Sequence, residues 1–413
     1  MAGVNTLEII SVLVATAALF GWISARVLRF PITIGTMLLT VVAALVLTNV
    51  NRLGPGVQGW AQHLVRQIDF ESLILRGMLP VLLFAGAFLL GPDLLAREKF
   101  PVALLSVPGT VASFLAVAAL MKLFTGAHAS WTECLIFGAL ISPTDPIAVL
   151  EMLRRIGVNR SIEAQLAGES LFNDGIGAVL FLTMIEIARG HAPTAWHVGG
   201  LLLLQAGGAT VLGIAAAWVI SWAMWIVNSY QVELLLTLTL ALGGYVLAGR
   251  CHVSAPLEAV VAGIALRQFN RRRGKGLATG GRIDEFWTML DEVQNSVLFV
   301  LLGLEVLAIN LDTATIRTGL AAILTVNAVR LAIVAAWAGV LYFVHKRNGS
   351  DILTLSWGGL RGGLSIALAL SIPPDLAAPW ILRATYLVVA FSILVQGSSL
   401  HLVMNLRRKA TAA

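Results

Sequence analysis

The chain has 413 residues, of which 58% are hydrophobic and only 12% charged, and its mean hydropathy is +0.87. Ordinary soluble domains carry about 25% charged residues, so this composition excludes a soluble globular protein and implies a polytopic membrane protein. The net charge of +6 gives no case for nucleic-acid binding, because the basic residues lie mostly between apolar runs, and two cysteines without C-x-x-C spacing argue against a metal site or a disulfide framework.

Thirteen apolar stretches are predicted to cross the membrane as helices. The first four are 6–25, 31–49, 72–90 and 100–121. Glu8 and the absence of any basic residue ahead of the first run make it a span rather than a cleaved signal.

The fifth stretch, 132–150, contains Ser142-Pro143-Thr144-Asp145-Pro146. Two prolines within four residues remove backbone donors and disfavour helix ahead of each ring. A bare proline kink is the plain alternative, but Asp145 favours a functional break that presents Thr144, its carbonyl and Asp145 to a central site.

The sixth, 162–189, carries Glu169, Ser170, Asn173 and Asp174. Ser170, Asn173 and Asp174 are related by i, i+3 and i+4 and share one helical face, with Glu169 at its edge. A structural polar cluster would explain the hydrogen-bonding groups and not two carboxylates so close together. Carboxylates at membrane depth mark an ion or proton pathway by default. Oxygen ligands of this kind suit a hard monovalent cation.

The seventh to tenth stretches are 197–227, 232–248, 254–266 and 286–309, the ninth expected to run on towards Arg267. Glu258 and Glu305 are expected near outer ends, where solvation is cheap, as structural residues, a role in the cation route being the lesser alternative. The basic run Arg271-Arg272-Arg273-Gly274-Lys275 reads as a cytoplasmic loop in preference to a lipid or partner site.

The eleventh, 318–344, buries Arg330 in NAVRLAIVAAW, too far from either end to snorkel; it needs a carboxylate partner, for which Glu169 is the candidate. The twelfth, 352–371, reads Trp357-Gly358-Gly359-Leu360-Arg361-Gly362-Gly363. The glycines serve close helix packing or an irregular backbone, and Arg361 favours the second, since a cation compensates the negative ends of half-helices. Interrupted fifth and twelfth spans fit an inverted-repeat transporter whose site lies where they meet. The thirteenth stretch is 380–403.

Connections after odd-numbered spans hold Arg26, Arg29, Arg97, Lys99, Arg154, Arg155, Arg160, Arg267, the 271–275 run, Arg282, Lys346, Arg347 and Arg407-Arg408-Lys409. Those after even-numbered spans hold only Arg52, Arg66, Lys122, Arg189, Arg250 and Arg317. The bias places the odd connections and the C-terminus in the cytoplasm and the N-terminus outside.

SPTDP at 142–146, GESLFND at 168–174, the arginine of NAVRLAIV and GGLRGG at 358–363, in that order and in those spans, resemble the monovalent cation:proton antiporter family of prokaryotic NhaP proteins and animal sodium/proton exchangers. The resemblance covers essentially the whole membrane portion. It implies an all-α, NhaA-like inverted-repeat fold of about 13 transmembrane helices with two broken, crossing helices, a multi-pass cell (inner) membrane location and a homodimer. Residues 100–190 and 318–403 would form the ion-translocating core domain, 6–90 and 232–309 the dimerising interface domain, and 197–227 the linking helix.

By position, the resemblance makes Asp174 the titrating, ion-binding carboxylate. Thr144 (through its carbonyl) and Ser170 would ligate Na+ with it, Glu169 assisting and Asn173 in the same cluster. Asp145 and Arg361 would balance the broken helices, and Arg330 would pair with Glu169. Electrogenic relatives carry a second aspartate where this chain has Asn173, so exchange should be electroneutral. The expected activity is exchange of Na+ or Li+ for H+ by alternating access, without a cofactor, in membrane lipid and with no nucleic-acid partner. K+/H+ exchange through the same site is the alternative. An intramembrane aspartyl protease, with Asp145 as second aspartate to Asp174, is a remote one, since it leaves both arginines unexplained.

Overall fold

A computed structural model describes residues 6–49, 69–70, 72–90, 92–156, 160–190, 195–227, 229–272, 280–305, 312–345, 352–400 and 402–403. Every one of the thirteen predicted stretches contains helix, and among the described residues there is no strand beyond one isolated bridge. Helix dominates because a chain this apolar must satisfy its backbone groups within each segment once water is gone.

In chain order the helices are α1 (Thr6–Ile23), α2 (Ile32–Asn49), α3 (Leu79–Leu89), α4 (Pro92–Arg97), α5 (Lys99–Leu104), α6 (Thr110–Thr125), α7 (Trp131–Ile141), α8 (Ile147–Ile156) and α9 (Arg160–Ala188). There follow α10 (Ala195–Ile226), α11 (Tyr230–Arg250), α12 (Ala255–Arg272), α13 (Gly280–Leu304), α14 (Thr313–His345), α15 (Ile352–Trp357), α16 (Gly363–Leu370) and α17 (Pro379–Phe391). Wider π turns continue several of them, at Ser24–Leu28, Ser72–Met78, Leu105–Gly109 and Ser392–Gly397. Pro108 lies inside the third of these, where it cannot donate to the helical ladder.

Among the described residues, eight helical segments are long and apolar enough to cross a membrane, and Ile32–Val46 and Trp131–Ile141 are shorter apolar helices. The ninth predicted stretch does run on past Arg267, as α12. Arg267 there forms a two-pronged ion pair with Asp284 of α13 and lies over the Phe88 ring. Arg271 and Arg272 end α12 exposed, and 273–275 lie outside the described residues.

Side chains sort into apolar clusters that flank the broken segments. Phe114, Phe137, Phe181, Val326 and Val388 bring α6, α7, α9, α14 and α17 together. Phe84, Met224, Leu240, Leu266 and Trp287 do the same for α3 and α10–α13. A third cluster, with Ile34, Val149, Leu166, Leu360 and Val389, draws on both sides. Trp218, Trp222 and Trp225 of α10 point outward, which costs nothing where the solvent is lipid.

Candidate functional site

The two interruptions meet. Asp145, between α7 and α8, and Leu360, between α15 and α16, form an antiparallel bridge in which the Asp145 N–H donates to the Leu360 carbonyl at 2.8 Å. Two unwound segments therefore cross in the protein interior, where loose backbone is tolerated only if each polar group finds a partner.

Several of those partners are identified. Pro143 and Pro146 have no N–H to satisfy. The Thr144 N–H donates to Asn173 Oδ1 at 3.2 Å, and the Ile147 N–H to Asp145 Oδ1 at 2.9 Å. The Pro143 carbonyl accepts from Arg361 Nη1 at 3.2 Å. The Asp145 carboxylate thus caps the N-terminus of α8, and a Cβ at Gly362, just ahead of α16, would overlap its other oxygen. Arg361, 2% exposed, lies beyond the C-terminal end of α7. An anion at helix N-termini and a cation at a C-terminus are the favourable placements.

On α9, Ser170 and Asn173 face this crossing from one side, as their spacing predicts. Asn173 grips Thr144 twice, since its Nδ2 also donates to Thr144 Oγ1 at 2.8 Å. Thr144 Oγ1 and Ser170 Oγ lie 2.9 Å apart in a further hydrogen bond. All three are nearly inaccessible to solvent. The Asn173 amide is occupied by Thr144, so it holds the unwound segment instead of standing open as a ligand.

Glu169 receives two hydrogen bonds from Arg330, one of them at 2.9 Å from Nη2. The same Nη2 donates to the Leu355 carbonyl of α15 at 2.9 Å. Sequence reasoning named this pair from the cost of an isolated arginine in lipid, and the structure brings the two together. Gly359 makes room for it, because a Cβ there would lie 2.5 Å from Arg330 Nε.

Asp174 differs from its neighbours. It is half-buried, not sealed, and among the described residues its carboxylate has no hydrogen bond or ion pair. Ser170 lies one helical turn before it on α9, and the Ser170 hydroxyl is bonded to that of Thr144. A partly buried carboxylate without an internal partner, near neutral oxygen ligands, can hold a proton or a small hard cation.

Two expectations fail. Glu258 and Glu305 are not solvated at an outer end: they are 0% and 4% exposed. Leu257, next to Glu258, is in van der Waals reach of Gly175, next to Asp174, so α12 runs deep against the site. Both Glu258 oxygens lack a partner among the described residues. Position near a hydropathy boundary could not reveal this, because burial follows from which helix lies alongside. Sequence reasoning also missed the carbonyls of Pro143, Leu355 and Leu360, whose only signal was the nearby proline and glycine.

A family model described as "Sodium/hydrogen exchanger, transmembrane" matches residues 14–406. The chain is similar to the Na(+)/H(+) antiporter NhaP of Pseudomonas aeruginosa, with 37% identity over 404 residues and 95% of each chain covered. It is also similar to the Na(+)/H(+) antiporter NhaH of Halobacillus aidingensis, with 30% identity over 361 residues, covering 85% of this chain and 87% of the relative. Among solved structures it resembles the sodium proton antiporter MjNhaP1 of Methanocaldococcus jannaschii, with TM-score 0.75 and 19% identity over 97% of this chain and 99% of that one. That last likeness concerns the fold.

Proposed function

This chain belongs to the sodium/hydrogen exchanger family, and we propose that it exchanges Na+ or Li+ for H+, one for one, with the two cations competing for Asp174. The observation that carries this reading is the contrast among the carboxylates of the cluster. Glu169 is held by Arg330, Asp145 by a helix N-terminus, and Asp174 by neither. Of these three, Asp174 is the one left to alternate between a proton and a metal ion.

In the ionised state, Asp174 would hold Na+ with the oxygens of Thr144 and Ser170, while Glu169 stays with Arg330 and Asn173 keeps Thr144 in place. In the protonated state the site is neutral as well. Either loaded form removes the charge that would otherwise have to cross a low-dielectric region, and the empty, ionised form does not. Alternating access then converts this competition into coupled exchange.

For the moving parts we take α5–α9 and α14–α17 as the core domain and α1–α3 with α11–α13 as the interface domain, joined by α10. The two apolar clusters described above support that division. Thirteen spans with inverted-repeat topology, a homodimer and a cytoplasmic C-terminus in the cell membrane complete the reading, the last supported by the charge bias between connections.

The test is proton flux in proteoliposomes carrying an internal pH dye. Addition of Na+ or Li+ should move protons, and the rate should not track an imposed membrane voltage. A flux evoked by K+ alone would replace Na+ as the substrate, and a voltage-dependent rate would end the one-for-one stoichiometry.

A further inference from the structure

Glu151 lies on α8, outside the ion site, and it reaches a helix from the other side of the proposed domain boundary. Its Oε1 accepts the N–H of Ile32 at 3.1 Å and its Oε2 accepts the Thr33 hydroxyl at 2.9 Å. Both donors belong to the first turn of α2, so a core-domain carboxylate caps an interface-domain helix, at the end where its dipole favours an anion.

Directly behind this cap the same turn inserts an apolar residue. Ile34 is 1% exposed, and a Cβ built at Gly397 would lie 3.2 Å from Ile34 Cδ1 and 3.6 Å from Leu360 Cδ1. Leu360 is the residue whose carbonyl receives the Asp145 N–H at the crossing. One helical turn of α2 therefore touches α8 and the Ser392–Gly397 turn, whose Gly397 in turn lies beside Leu360 of the crossing segment. It is itself fixed to α1: Gly35 is closely packed on Ser24, whose hydroxyl donates to the Phe30 and Pro31 carbonyls at 3.3 Å. The turn is a firm stop and not a loose end.

We propose that Glu151, with Thr33 and Ile34, forms a gate between the ion site and the face carrying the odd-numbered, basic connections: closed as seen here, opened for ions to pass to that face. This rests on the antiport reading and its two-domain division. If the core moves against α2, hydrogen bonds and an apolar contact that join the two bodies at one face must be made in one state and broken in another.

The experiment places cysteines at both sides of the contact, Thr33→Cys with Glu151→Cys, in a Cys251→Ser background that removes the exposed native thiol. The protein is reconstituted in dye-loaded liposomes and joined with a short bis-methanethiosulfonate reagent. Cross-linking should reduce Na+-evoked proton flux by at least about tenfold, with recovery on reduction by dithiothreitol. Cross-linked protein that exchanges as fast as reduced protein overturns the gate.

Should the reduced double variant be inactive, Glu151→Leu with Thr33→Val serves instead. Loss of these hydrogen bonds should favour the state open to the basic face, lowering the apparent Na+ KM there by about three- to tenfold and raising it at the opposite face. A merely structural role would lower maximal flux without such asymmetry, and equal KM values at both faces overturn the proposal. Wild-type protein in the same vesicles tests the antiport reading separately: absence of Na+-evoked flux there removes that reading and the gate with it.

Discussion

Glu169 and Arg330, 161 positions apart in the chain, form a two-pronged ion pair in which both side chains are almost wholly withdrawn from solvent. The guanidinium also holds the Leu355 carbonyl near the end of α15, so the pair ties α9, α14 and the broken twelfth span into one unit.

Arg330→Ala should therefore act on stability first. It strands a buried carboxylate and frees a buried carbonyl, at a cost of about 3–5 kcal/mol. Denaturation in detergent should report a loss of that size. Replacing both partners with Met should cost much less, since no charge is then left alone; equal losses in the single and double variants would contradict this account.

Asp174→Asn keeps shape and removes the titrating group. Because no internal partner depends on this carboxylate among the described residues, the melting temperature should stay close to that of the wild type. Na+-evoked proton flux should fall to that of protein-free liposomes. A variant that still exchanges at the native rate would remove Asp174 from the mechanism.

Asn173→Ala should weaken cation binding without removing the exchanging group. It deprives the buried Thr144 N–H of its partner and leaves the Thr144 hydroxyl with Ser170 alone, a loss of about 1–3 kcal/mol. Some of that loss should appear as a roughly tenfold higher apparent KM for Na+, measured in the dye assay with Asp174 intact.

Gly362→Ala tests the crossing itself. Its Cβ would collide with an Asp145 carboxylate already fixed by the Ile147 N–H, so neither side can yield cheaply. Exchange should be lost, together with much of the folded yield. Gly339→Ala, where a Cβ meets nothing within 4 Å, should leave both unchanged.

Outside the membrane, Asp312 caps α14 through the Thr315 N–H at 2.7 Å. That hydrogen bond, with smaller help from the Thr315 side chain and Arg383, holds its carboxyl below the ordinary aspartate value. With the folded-state value depressed, its stabilisation is complete above the unfolded-state value of about 3.9 and is lost as pH falls through the folded one. Thermal stability of Asp312→Ala should therefore lie slightly below the wild type at neutral pH and converge with it in acid; a gap that widens in acid would refute this.

Much of the molecule is legible in its sequence because lipid allows so few solutions. A chain with 12% charged residues can place helices where its apolar runs are, and each charge left inside demands compensation. SPTDP and GGLRGG were readable as breaks, since proline and glycine act through the local backbone. The face shared by Ser170, Asn173 and Asp174 followed from helical periodicity alone.

What the tertiary structure alone decided is which groups each side chain consumes. Asn173 could have faced an ion, but the Thr144 backbone lies close enough to take its amide. Glu258 could have met water at a span end, but the helices around α12 leave it none. Glu151 bears no motif at all, and only the approach of α2 brings the Ile32 N–H and the Thr33 hydroxyl to it. Local backbone chemistry and the expense of bare charge are written residue by residue. The pairing of distant groups depends on how helices lie against one another, which is fixed by shape and not by spacing along the chain.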